Sequence, residues 1–202
     1  DIIKVNKAYE TAIETALGGS IQNVVTRDER TAKSMIEFLK MNKFGRATFL
    51  PLTSIVPKTL PERDKILKEE GVIGIANDLV QPTNDFSVLA DYLLGRIVVT
   101  DHMDHALKLA KKYHYTLRIV TLEGESLSPG GSISGGTFKN NSNLLGRHRE
   151  MDEMRLQMEE LKSVLASLNK ETDHAHDQKR SNKNIIQGIQ DELQQLQLKL
   201  NT

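Results

Sequence analysis

The residues best placed for chemistry lie in Pro129-Gly130-Gly131-Ser132-Ile133-Ser134-Gly135-Gly136, where side chains nearly vanish and backbone N–H groups can approach a phosphate. The spacing refuses a phosphate loop. No Gly-Lys-Ser or Gly-Lys-Thr follows, and Lys139 is misplaced for the lysine such a loop needs. Neither Ser132 nor Ser134 stands in Gly-x-Ser-x-Gly, so the nucleophile elbow of an esterase has no support. Glycines this dense serve instead to let two backbones or sheets pack closely, or to hold positive φ in tight turns. Asp101, His102, Asp104 and His105 are metal-ligand types, but they open a helix, where acidic side chains cap and complement the dipole. No metal is expected there, and no residue is assigned a catalytic role.

Charge is informative near the glycines. From Ser126 to Arg149 there is no acidic residue, while Lys139, Arg147 and Arg149 are basic and Asn140, Asn141, Ser142 and Asn143 are polar. Such a stretch either tracks a nucleic-acid backbone through salt-sensitive phosphate contacts or is an ordinary solvated linker. Lys40, Lys43 and Arg46 form a second basic group. The 202 residues carry 27 basic and 27 acidic side chains, so DNA binding has to come from such clusters and not from an overall basic field. Cysteine is absent, which excludes disulfides and thiolate-bound zinc and fits a reducing cytosol. There is no long apolar run and no charged-apolar-small leader, so neither a membrane span nor a secretory signal is expected. A chain that opens on Asp1 is expected to be a fragment.

The elements that position these residues fall into two regions. From about Arg149 onward proline is absent, glycine and aromatics nearly vanish, and one heptad frame fits to the end. Its a positions are Met151, Met158, Leu165, Thr172, Lys179, Ile186, Leu193 and Leu200; its d positions are Met154, Leu161, Leu168, Ala175, Asn182, Ile189 and Leu196. A 3.6-residue stripe would drift around the helix over this length, and this one does not. It predicts one half of a coiled coil, about 80 Å long. Lys179 and Asn182 weaken the seam locally or fix its register, and His174 and His176, at c and e, read as solvated.

Residues 1–148 read as compact and mixed. Ile2, Val5, Tyr9, Ile13 and Ala16 mark one face of an opening helix ended by Gly18-Gly19. A strand is expected at residues 23–26, a helix at 28–41 with Ala32, Ile36 and Leu39 inward, and a strand at 46–50. The pattern returns: Val98-Val99-Thr100, a helix with Ala106, Ala110 and Tyr113 inward, and a strand at 117–122. Ala32 and Ala106 each lie six residues after the threonine of Val-Val-Thr. Two related strand-helix-strand units follow, each pairing its strands in parallel through the helical crossover. Between them lies a proline-rich connection with an apolar run at 72–76, then a helix capped by Asn84 or Asp85 and closed by Gly95. Glu123-Gly124 turns into a returning strand at 125–128.

Four motifs in order, Ala12-Ile13-Glu14-Thr15-Ala16-Leu17-Gly18, Gly45-Arg46-Ala47-Thr48-Phe49-Leu50-Pro51-Leu52, Thr121-Leu122-Glu123-Gly124-Glu125 and the glycine-rich segment, closely resemble the hinge of bacterial SMC (structural maintenance of chromosomes) proteins. The resemblance covers residues 1–148, and the coil beyond resembles the start of the returning arm. It implies an α+β fold of two small related strand-helix-strand subdomains, about 1–80 and 81–148, followed by a coiled-coil arm at 149–202. It implies a ring-shaped homodimer in which subdomain one of each copy meets subdomain two of the other through sheet edges, with Gly130, Gly131, Gly135 and Gly136 at the interface. It also implies weak, sequence-independent DNA contact, mapped to Lys139 with Lys40 and Lys43, alongside Arg147 and Arg149 from the basic junction. Where relatives can carry clustered lysines, this chain has Thr137-Phe138-Lys139-Asn140-Asn141, a departure that lowers the expected affinity. The remaining implied partners are the antiparallel N-terminal arm of the same protomer and a kleisin complex at ATPase heads. Those heads would bind ATP and Mg and lie outside this chain, so the chain itself is expected to be non-enzymatic, without cofactor, cytoplasmic and nucleoid-associated. The absence of cysteine excludes a zinc-hook architecture. The competing reading is a small-molecule-binding or catalytic α/β domain with a coiled-coil oligomerisation tail.

Overall fold

The computed structural model describes residues 2–83, 86–136 and 144–200, and the chain divides into two units, residues 1–148 and 149–202. In order the elements are β1 (Ile3–Val5), α1 (Glu10–Leu17), β2 (Val24–Thr26), α2 (Glu29–Met41), β3 (Phe49–Pro51), α3 (Arg63–Ile66), β4 (Val72–Ile75), β5 (Val80–Pro82), α4 (Ser87–Leu94), β6 (Ile97–Thr100), α5 (Met103–Lys112), β7 (Arg118–Thr121), β8 (Ser126–Leu127), β9 (Ile133–Ser134) and α6 (Leu144–Leu200).

The core is a five-stranded sheet in the order β4-β6-β7-β8-β9, parallel between β6 and β7 and antiparallel elsewhere. Side chains alternate across it, as strand geometry requires. Ile97, Val99 and Val120 pack against α1 and α4, while Val98, Ile119 and Leu127 pack against α3 and α5. Burial on both faces is why Ile97-Val98-Val99 and Ile119-Val120 are unbroken β-branched runs rather than alternating ones.

The repeat is physical. β2 and β3 pair in parallel around α2, as β6 and β7 do around α5, and Ala32 and Ala106 are both buried where helix meets sheet. The two helices also end alike. The Phe44 N–H donates to the Leu39 carbonyl (3.0 Å) and Lys43 N–H to Lys40 (3.2 Å); Tyr115 N–H donates to Ala110 (2.7 Å) and His114 N–H to Lys111 (3.1 Å). Both are Schellman closures, with left-handed Lys43 (φ 55) and His114 (φ 52) where glycine is usual.

Several local expectations change. The opening helix does not reach Ile2: residues 3–5 form β1, antiparallel to β5, and α1 begins at Glu10. Ile3 and Val5 alternate with polar neighbours, and their strand partner lies some 75 residues later in the chain (Ile3 opposite Pro82, Val5 opposite Val80), beyond any local pattern. Ile36 is exposed rather than inward, leaving Ala32 as the buried residue of α2. The third strand sits at Phe49–Pro51, later than expected. The caps assigned to Asn84 or Asp85 lie outside the described residues. α1 and β4, from the first eighty residues, share a core and a sheet with β6 and β7.

α6 is helical from Leu144 to Leu200, 57 residues in all, and from Arg149 onward it is the described part of the second unit. Its seam residues, from Met151 (46% exposed) through Leu161 (69%) to Leu196 (62%), are exposed among the described residues. No described helix is long and apolar enough to cross a membrane.

Candidate self-association edge

The glycine-rich segment builds a hairpin at one side of the five-stranded sheet. Leu127 pairs with Ile119 on one side and with Ile133 on the other, so β8 joins β9 to the sheet. Between them the Gly131 N–H donates to the Ser128 carbonyl (3.0 Å), with Pro129 second and Gly130 (φ +90) third in the turn, the pattern of a type II turn. The Ser128 N–H donates to the Ser132 carbonyl (2.9 Å), and the Gly130 N–H to the Tyr115 carbonyl (2.9 Å), fastening the turn to the end of α5.

The four glycines therefore act differently. Gly130 and Gly131 hold positive φ in the turn, and Gly136 (φ +139) holds it beyond β9; a Cβ at Gly135 would press to 3.2 Å from the Glu125 side chain. Glu125 is itself fixed, accepting from Thr121 Oγ1 at 2.6 Å while its N–H donates back to the same hydroxyl at 3.1 Å.

β9 is the last strand of its sheet among the described residues, and its outer edge is bare. Ile133 is 53% exposed and Ser134 exposed, so a row of backbone donors and acceptors stands open beside an apolar side chain. A second bare region lies on the β2–α2–β3 unit. Among the described residues its sheet has two strands, Val24 is exposed, and the far end of α2 shows Phe38 (55%), Met41 (77%) and Phe44 (59%), with the two rings 6.0 Å apart. This apolar patch was not assigned from the sequence. The signal was present: with Ala32 and Leu39 inward, Phe38 and Met41 fall off the buried face of α2.

The cations assigned to DNA are not gathered on one element. Lys40 and Lys43 flank the exposed Met41, and Lys43 closes α2. Arg147 is exposed on the first turns of α6, and Arg149 pairs with Glu153 at 2.6 Å. Lys139 lies outside the described residues.

The Asp101–His105 cluster is a helix start. Asp101 Oδ1 accepts from the His102 N–H (2.6 Å) and lies 2.7 Å from His105 Nδ1, while Glu70 lies 3.6 Å from His105 Nε2. The hydrogen bond with His105 holds the Asp101 carboxyl below its usual range. A Cβ at Gly71 (φ +77) would overlap the His105 ring, so glycine there lets β4 lie against α5. Among the described residues no group of three or more His, Asp or Glu is arranged to hold a metal ion.

The model for the flexible hinge domain of SMC proteins matches residues 1–110. The chromosome partition protein Smc of Clostridium kluyveri is 41% identical over 170 residues, 84% of this chain and 14% of that protein. The chain thus spans about one-seventh of that relative's length. The crystal structure of an asymmetric dimer of the Geobacillus stearothermophilus SMC hinge domain is similar with a TM-score of 0.71 and 40% identity, over 84% of this chain and 69% of that one. The Pyrococcus furiosus Smc hinge domain with an extended coiled coil gives 0.58 and 34%, over 84% and 60%.

Proposed function

The chain belongs to the SMC flexible-hinge family, and from that premise we propose that it joins two copies of itself, sheet edge to sheet edge, as the hinge of a chromosome-partition protein. The bare outer edge of β9 carries the reading: an unpaired strand with an exposed Ile133 is a template for another chain. The β2–β3 sheet of a second copy is the complementary surface. A two-stranded sheet is marginal alone, and covering Phe38, Met41 and Phe44 would contribute a few kcal/mol, at about 1.5–3 kcal/mol for each side chain fully buried. The expected subdomains, about 1–80 and 81–148, then divide by role, the first offering β2–α2–β3 and the second β9. Two-fold symmetry makes two equal contacts and closes a ring.

Further parts of the proposal concern the full-length protein. The seam of α6 would pair with the antiparallel arm that precedes this segment in the same protomer. ATP, Mg and the kleisin complex would belong to the heads, since this chain has no Gly-Lys-Ser/Thr sequence. Lys139, Arg147 and Arg149, with Lys40 and Lys43, would give weak DNA contact in the cytoplasm at the nucleoid. Lys139→Glu should weaken DNA binding in a gel shift, and unaltered binding would move the site elsewhere.

Light scattering tests the dimer. In a chain whose α6 seam is blocked in both apolar stretches by Leu161→Glu, Leu165→Glu, Leu168→Glu, Ile189→Glu and Leu193→Glu, self-pairing of the helix is removed, and a dimer at micromolar concentration is expected. A monomer across that range would contradict the reading.

A further inference from the structure

The first unit also carries a cleft of about 1060 Å³, comparable with the largest ligand sites, which run to roughly 1,000 Å³. It lies between α3, the C-terminal end of α5 and the starts of β6 and β7, with Leu60, Pro61, Leu117 and Pro129 as an aliphatic wall. Its rim is basic in a chain of zero formal charge. Two of the rim cations are already matched: Lys112 to Glu69 at 2.7 and 2.8 Å, and Lys65 to Glu62 at 3.4 Å. The Tyr113 hydroxyl also donates to Glu69, and the Lys112 hydrogen bond holds the Glu69 carboxyl below its usual range.

Three cations remain. Lys68 and Arg118 have no carboxylate within ion-pair distance among the described residues, and Arg96 commits only its Nε–H, to the Thr59 carbonyl at 3.0 Å. Unmatched guanidinium groups beside an aliphatic wall suit a ligand with planar carboxylates and an apolar body. We propose that this cleft binds an acidic peptide, with carboxylates on Lys68, Arg96 and Arg118 and a bulky aliphatic residue against Pro61 and Pro129.

Charge decides against the alternatives. A second copy's exposed α2 end carries Lys40 and Lys43, of the same sign as the rim. A single-stranded nucleic acid needs stacking faces, and a duplex needs an uninterrupted basic track along its phosphates. Here Tyr113 is half-buried with its hydroxyl 3.2 Å from Glu69, and the two glutamates interrupt the rim. The proposal stands apart from the hinge dimer, which does not require it.

The test is fluorescence anisotropy of the full chain with a short fluorescein-labelled peptide of alternating glutamate and leucine. Saturable binding is expected, weakened about tenfold or more, roughly 1.4 kcal/mol, by Lys68→Gln with Arg118→Gln and unchanged by Lys33→Gln with Lys170→Gln, at exposed lysines away from the cleft. Circular dichroism checks the fold, and Arg96→Gln alone should weaken binding in the same direction if the double variant unfolds. No saturable binding, equal binding by the Lys68 and Arg118 variant, or displacement of the peptide by a thymidine oligonucleotide of equal charge would overturn the proposal.

Discussion

β6 and the buried stretch of β7 sit inside a five-stranded sheet with helices on both faces, whereas β2 and β3, built on the same strand-helix-strand pattern, form a sheet of two. α5 buries Ala106, Leu109 and Ala110; α2 buries Ala32 alone. The two helices even share their closing hydrogen bonds. The difference lies in the neighbours: β4 and β8 flank one pair, and no described strand flanks the other. One motif can therefore serve as a core or as a docking surface, according to what lies beside it.

Core truncation should separate the two units most strongly. Ile119→Ala, at a fully buried position, should cost about 2–5 kcal/mol in urea unfolding, while Ile36→Ala on α2 should cost under about 1 kcal/mol. Equal losses would break the contrast. Next, Phe38→Ser with Met41→Ser should weaken dimerisation of the seam-blocked chain at least about tenfold while leaving its secondary structure intact. A stable dimer with these changes would mean the α2 patch serves another purpose. Smaller, and the same in both units, should be Lys43→Gly and His114→Gly, each stabilising by about 1 kcal/mol through relief of the left-handed backbone. A gain at one helix end only would show that the ends are not equivalent.

The smallest effect is on acid stability. Asp28 and Glu29 start α2, held below their usual range chiefly by hydrogen bonds from Thr31 and Thr53; Asp101 and Glu69 serve the other unit, lowered chiefly by His105 and Lys112. Each folded-state pKa lies below its unfolded value, so these groups stabilise above the unfolded pKa. That contribution is lost as pH falls below the ordinary carboxylate range, about pH 4, and on through the lowered folded pKa. Thermal unfolding across that window should show shallower acid loss for Asp28→Asn and for Asp101→Asn. An unchanged profile would remove the carboxylates from the account.

Much of this was legible because it is local. Val-Val-Thr followed by a helix with alanine at a fixed offset announced both units and their parallel pairing, and Pro129-Gly130 encodes its turn by φ alone. β1 was not legible, because its partner β5 is remote and a short run of Ile and Val fits either period. The self-association edge was half legible. Glycine density pointed to close backbone packing or tight turns, but β9 itself was not read, and its openness and the exposure of Phe38, Met41 and Phe44 depend on which strands are absent beside them, which no local pattern records. The heptad seam of α6 showed plainly, since a helix repeats its own period regardless of its surroundings.

The claim that β9 of one copy meets the β2–β3 sheet of another can be tested by crosslinking, because the chain has no cysteine of its own. Ile133→Cys and Val24→Cys, placed in separate chains, mixed and treated with a short bismaleimide, should give a covalent dimer that neither variant forms alone. Failure of the mixture to crosslink, or equal crosslinking by either variant with itself, would contradict it.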